Sequence, residues 1–138
     1  MKIDSAKILK ADAAIRKAEI VVNNQYNQVF KGYISSFGAS IAQAGLLPTI
    51  IFFESKSDKA SERPKVIQAL KQMLPEEYQV DDLTKQLLTL RKSLKEDEYK
   101  QKEKELQKQI TEAMVAMKLA LRMYGKKGGE GGDNGEER

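Results

Sequence analysis

The stretch YNQVFKGYISSFGASIAQAGLLPTIIFF, residues 26–53, decides the fold class. Its first half sets Tyr26, Phe30, Tyr33, Ile34, Phe37 and Ile41 at steps of three and four, so all the large side chains share one side of a helix. Gly32 and Gly38 lie inside that helix and cost about 1 kcal/mol each relative to Ala. Close approach of a neighbouring backbone is the expected return. Gly45 stands where a left-handed residue ends a helix, and Pro48 can open the next one. The second half, Leu46 to Phe53, is apolar on nearly every side. Its β-branched and aromatic content also suits a buried strand, but no second strand is evident to pair with it. A short central helix is expected.

Working outward, the chain stays helical. Asp4 or Ser5 caps a first helix that runs to about Val22, with Ile8, Ile15, Ala18 and Val22 on one face and Lys7, Lys10 and Lys17 on another. Asn23-Asn24 breaks it, because short amides compete with the helix backbone. Beyond a polar connection from Ser55 to Arg63, Pro64 opens a fourth helix that buries Val66, Ile67, Leu70, Met73 and Leu74 until Pro75 stops it. Asp81-Asp82 caps a fifth with a seam of Leu83, Leu87, Leu90 and Leu94. The last begins between Lys95 and Glu98 and reaches Tyr124, with Leu106, Ile110, Ala113, Met117, Ala120 and Tyr124 alternately four and three apart. From Gly125 the sequence is GKKGGEGGDNGEER, which holds six of the nine glycines and reads as disordered. The expected architecture is all-α: a compact bundle of about six helices over residues 1–124, then a disordered tail over 125–138.

The 138 residues suffice for one helical domain with a real core. The chain has no cysteine and no histidine, which removes disulfides, thiolate metal sites and the commonest general base together. The start of the chain lacks a secretory h-region, and no apolar run approaches bilayer length. A cytoplasmic protein without a membrane partner is expected. The formal charge is +4, and the basic surplus persists when the last fourteen residues are set aside. Such a surplus is compatible with a polyanionic partner and decides nothing alone.

Little in the sequence supports catalysis. The acids Glu76-Glu77, Asp81-Asp82 and Glu96-Asp97-Glu98 each sit at an expected helix start, where negative charge suits the helix dipole. They lack the convergent spacing a cation needs. No glycine-rich loop joins a strand to a helix, so no nucleotide site is indicated. No metal, no cofactor, no small-molecule substrate and no enzymatic activity are expected. Glu96, Lys100, Lys104, Lys108 and Glu112 form an i,i+4 ladder that reads as a solvated face. Lys118 and Arg122 form a second i,i+4 basic pair near a helix end. Arg16, Lys17 and Lys31 are further candidates for phosphate contact. The rings Tyr26, Phe30, Tyr33 and Phe37 can stack bases in principle, but their continuity with Ile34 and Ile41 favours a core.

Two stretches together resemble a known family. They are YISSFGASIAQAGLLPTIIFF, residues 33–53, and ITEAMVAMKLALRMYGKK, residues 110–127. In this order and at this separation they resemble the small helical subunit of the type III-B CRISPR effector, the Cmr ribonucleoprotein complex. The resemblance implies a non-catalytic protein of antiviral defence, whose copies stack beside the guide-RNA backbone while other subunits cut the target. The implied partners are the other Cmr subunits, further copies of the chain, and the duplex of guide and target RNA. Arg122 falls on the family's basic position, with Lys118 one turn before it. Leu119 and Leu121 stand where many members carry a tryptophan and a second basic residue, and Ala44 where many carry a polar amide. These departures thin the basic surface of the last helix and leave the expected fold alone. The competing reading is a helical protein–protein adaptor without RNA contact, resting on the long last helix and the leucine seam of the fifth.

Overall fold

The computed structural model describes residues 2–55 and 62–126. Six α-helices form among them: α1 (Ser5–Lys17), α2 (Val29–Ala44), α3 (Leu46–Glu54), α4 (Arg63–Met73), α5 (Leu83–Ser93) and α6 (Glu96–Leu121). A 3-10 turn, Glu76–Tyr78, separates α4 from α5. Three two-residue strands complete the fold: β1 (Val21–Val22), β2 (Gln25–Tyr26) and β3 (Gly125–Lys126). None of the described helices is long and apolar enough to cross a membrane.

Local chemistry sets most of the helix ends. The Asp4 carboxylate accepts the Ala6 N–H at 2.9 Å, and Asp82 accepts that of Lys85 at 2.9 Å. Glu98 reaches back to the Lys95 N–H at 3.1 Å. Pro64 lies in the first turn of α4, where its missing N–H has no intrahelical partner to lose. Gly45 ends α2 and starts α3 with φ 102° and ψ 167°. This is an extended positive-φ conformation open in practice only to glycine, not the left-handed helical one expected.

The core has α6 as its spine. Leu106, Ile110, Ala113, Met117 and Ala120 are buried on it, and α1, α2 and α4 pack around them. Phe30, Ile34 and Phe37 form the inner stripe of α2, and Phe37 meets Phe53 of α3 with ring centroids 4.7 Å apart. The expected aromatic face is therefore core, and the central helix forms where the sequence placed it. Leu83 and Leu87 are buried, and Leu90 packs against the same cluster. Lys71 is buried as well, its ammonium donating to the carbonyls of Val80 at 2.7 Å and Asp81 at 3.2 Å.

Several expectations are corrected. α1 stops at Lys17 rather than Val22, and α2 starts at Val29 rather than Tyr26. Between them Val21 pairs with Tyr26, and Val22 with Gln25, across the two-residue turn Asn23-Asn24. Both asparagines have positive φ (55° and 61°), as this tight hairpin requires. Tyr26 is buried from a strand, not from the helix. α6 ends at Leu121 instead of Tyr124, and Gly125 and Lys126, assigned to the tail, pair in parallel with β2. The remainder of the expected disordered tail, 127–138, lies outside the described residues, as do residues 56–61 of the polar connection. Gly32 and Gly38 face open space: a Cβ on either would meet nothing within 4 Å, so no neighbouring backbone explains them.

Candidate nucleic-acid interface

Helices α1 and α6 finish at the same end of the molecule. Lys7 pairs with Glu112 at 2.8 Å, and further along α1 the Asp12 carboxylate accepts the hydroxyl of Tyr124, which lies just beyond α6. The hairpin sits at that end too, because β3 leaves α6 and pairs with β2, and the Gly125 N–H donates to the Asn24 carbonyl at 3.3 Å. α2 begins there, three residues after β2. The end of α1, the hairpin and the start of α2, which follow one another in sequence, thus meet the end of α6, far downstream, at one pole.

All five basic candidates belong to that pole. Arg16 and Lys17 are the last two residues of α1 and are exposed. Lys31 is exposed in the first turn of α2. Lys118 is half-buried on the last turn of α6, at the rim of a shallow groove of about 170 Å³ lined by Ile34, Gly38, Ile110 and Met114. Arg122 follows α6 directly and is exposed. The carbonyl ends of α1 and α6 carry partial negative charge, which favours cations at these positions.

The electrostatics separate these residues. Arg16 lies 3.0 Å from the Asp12 carboxylate, so its charge is locally paired. Asp12 also accepts the Tyr124 hydroxyl, and that hydrogen bond, with burial and the carboxylate's charge, raises the phenol's pKa above its ordinary value. Burial likewise raises the Tyr26 phenol, and the positive charge of nearby Arg122 opposes it. Arg122 stands three residues before β3, whereas Lys118, one turn earlier, borders α2. One further cation joins them. Lys126 is exposed on β3 next to Tyr26. Its place in a strand is hidden in sequence by the glycine-rich composition that begins at Gly125.

Several of the remaining charges have other occupations. In the ladder of α6, Glu96 pairs with Lys100 at 3.3 Å. Glu112, at the far end, is held below the usual carboxylate range by its hydrogen bond from Lys7. Glu77 pairs with Lys102 at 3.0 Å. Asp82 and Glu98 are taken up in helix starts. Among the described residues no group of three or more acids could hold a metal ion.

A family model described as CRISPR-associated protein (Cas_Cmr5) matches residues 9–122. No curated protein and no solved structure matches the chain.

Proposed function

Because the chain belongs to the Cas_Cmr5 family of CRISPR-associated proteins, and so is a small Cmr subunit, we propose that it acts without catalysis, stacking along the effector and supporting the paired guide and target RNA with its basic pole. The observation that carries this reading is the convergence of Lys17, Lys31, Lys118, Arg122 and Lys126 on one end of the fold. Each copy then offers a few phosphate contacts. A single copy binds RNA weakly, and copies aligned along one strand bind it well, because later contacts need no new association step. The occupation of Asp82 in a helix cap and of Glu77 and Glu96 in ion pairs fits a supporting role rather than a chemical one.

The test is capture of target RNA by the assembled effector across a salt series. Lys118→Glu with Arg122→Glu should weaken capture and flatten its salt dependence, while Lys100→Glu with Lys104→Glu does much less. Unchanged capture, with the doubly reversed subunit still incorporated, would replace this reading with that of a protein–protein adaptor.

A further inference from the structure

The chain leaves the described fold in the middle of its basic pole. Lys126, the last described residue, lies on β3 opposite Tyr26. The positive charge of Arg122 acts on the phenol of the same Tyr26, and Lys118 precedes Arg122 by one helical turn, about 6 Å. The charge of Arg16 reaches the Tyr124 phenol, and Lys17 is its neighbour at the end of α1. Lys31 follows β2 by five residues. Of the acids nearby, Asp12 pairs with Arg16 and Glu62 with Lys65, while Glu19 is exposed beside the hairpin. Among the described residues none of Lys17, Lys31, Lys118, Arg122 and Lys126 is in an ion pair. The pole keeps a positive surplus.

The sequence that follows has the opposite character. Residues 128–137, GGEGGDNGEE, hold the four acids Glu130, Asp133, Glu136 and Glu137 and no base. No side chain from 127 to 138 is apolar, so charge and backbone polar groups are all this segment has to bind with. Glu137 lies eleven residues beyond Lys126, and a glycine-rich chain of that length reaches about 18 Å on average. So short a tether holds its acids near the pole at an effective concentration on the order of millimolar.

We propose that residues 128–137 lie across Arg122, Lys118 and their basic neighbours as an internal polyanion that competes with RNA for the pole. This deepens the reading that the pole contacts RNA, and rests on it. In a lone copy the carboxylates occupy the positions that phosphates would take. A strand held along several copies offers many phosphates at once and displaces them. The device suppresses binding of stray RNA by the free subunit and costs the assembled effector little. Other basic positions attract the segment less, since Lys7, Lys100 and Lys102 already face carboxylates of the fold.

Two experiments on the full chain test it. The first couples carboxylates to amines in the free protein with a zero-length carbodiimide and maps the tryptic products of the monomer by mass spectrometry. Peptide 128–138 should be joined chiefly to Lys17, Lys31 and Lys118, and equal joining to Lys100 or Lys104 overturns the proposal. The second combines Glu130→Gln, Asp133→Asn, Glu136→Gln and Glu137→Gln. Single-stranded RNA should bind this free variant roughly three- to tenfold more tightly than wild type at low salt. The gain should vanish at high salt, and also when Lys118→Glu and Arg122→Glu are added. An equal gain with the pole reversed reflects only general repulsion between acids and RNA, and overturns the proposal. So does the absence of any gain, while the role of the pole stands if its reversal alone weakens binding. If neither the tail nor the pole variant changes RNA binding, both readings fall.

Discussion

The carboxylate of Glu54, the last residue of α3, receives Thr84 of α5 twice, at 2.8 Å from its N–H and 2.6 Å from its hydroxyl. Its other oxygen accepts the Leu83 N–H at 2.7 Å. Thirty residues apart in sequence, the two helices share one cap. Glu54 supplies an anion to N–H groups that no intrahelical carbonyl can reach, at the end where the dipole favours negative charge. Together with Asp82 it satisfies three successive donors of α5.

Glu54→Ala should therefore cost about 2–3 kcal/mol, the range for losing charge-assisted hydrogen bonds that leave donors unpaired. Glu54→Gln keeps an acceptor and should cost less. Urea unfolding would report a lower midpoint at unchanged slope. A midpoint equal to wild type for the Ala variant would show that water replaces the carboxylate without loss.

The three internal glycines should behave in opposite ways. Gly32→Ala and Gly38→Ala each remove helix-interior backbone entropy without meeting a neighbour, and should stabilise by up to about 1 kcal/mol. Gly45→Val should destabilise by more than about 1 kcal/mol, because φ 102° is strained for any L side chain. Thermal unfolding of the three variants checks the contrast, which would fail if all shifted in the same direction.

The bond from Tyr124 to Asp12 makes a prediction about alkaline pH. The folded pKa of the phenol lies above the ordinary 10.0, first because of the hydrogen bond to Asp12 and then because of burial. A raised folded pKa means that the stabilisation is complete below the unfolded value and is lost as pH rises through the folded one. Wild type should exceed Tyr124→Phe by about 1 kcal/mol at neutral pH. That advantage should shrink on titration beyond pH 10.0. A pH-independent difference would place the effect in packing instead.

Asp12→Asn tests how the pole balances its charge. The amide oxygen can still accept from Tyr124, while Arg16 loses its pairing carboxylate. RNA binding at low salt should strengthen, with the slope of log affinity against log salt steeper by up to about one unit. Weaker binding with unchanged helicity would mean that Asp12 acts by orienting Arg16 rather than by neutralising it.

Much of this fold was legible in sequence because it is written locally. The α2 stripe, the caps at Asp4 and Asp82, and the helix end at Gly45 each depend on a few neighbouring residues. The resemblance drawn from residues 33–53 and 110–127 was legible in the same way, and the family match extends it over 9–122. The hairpin had a signal in Asn23-Asn24, which favours positive φ, but two-residue strands are too short for alternation to show. Tertiary structure alone paired β2 with β3, a hundred residues downstream, and so drew Lys126 and Arg122 to the ends of α1 and α2. It alone buried Lys71 on two carbonyls, aimed Glu54 at a remote helix and set Ile51 and Phe52 of α3 on the outside among the described residues. Periodicity specifies that a helix has an inner face. Only the packing of distant segments determines which charges meet beyond it and which apolar side chains stay on the outside.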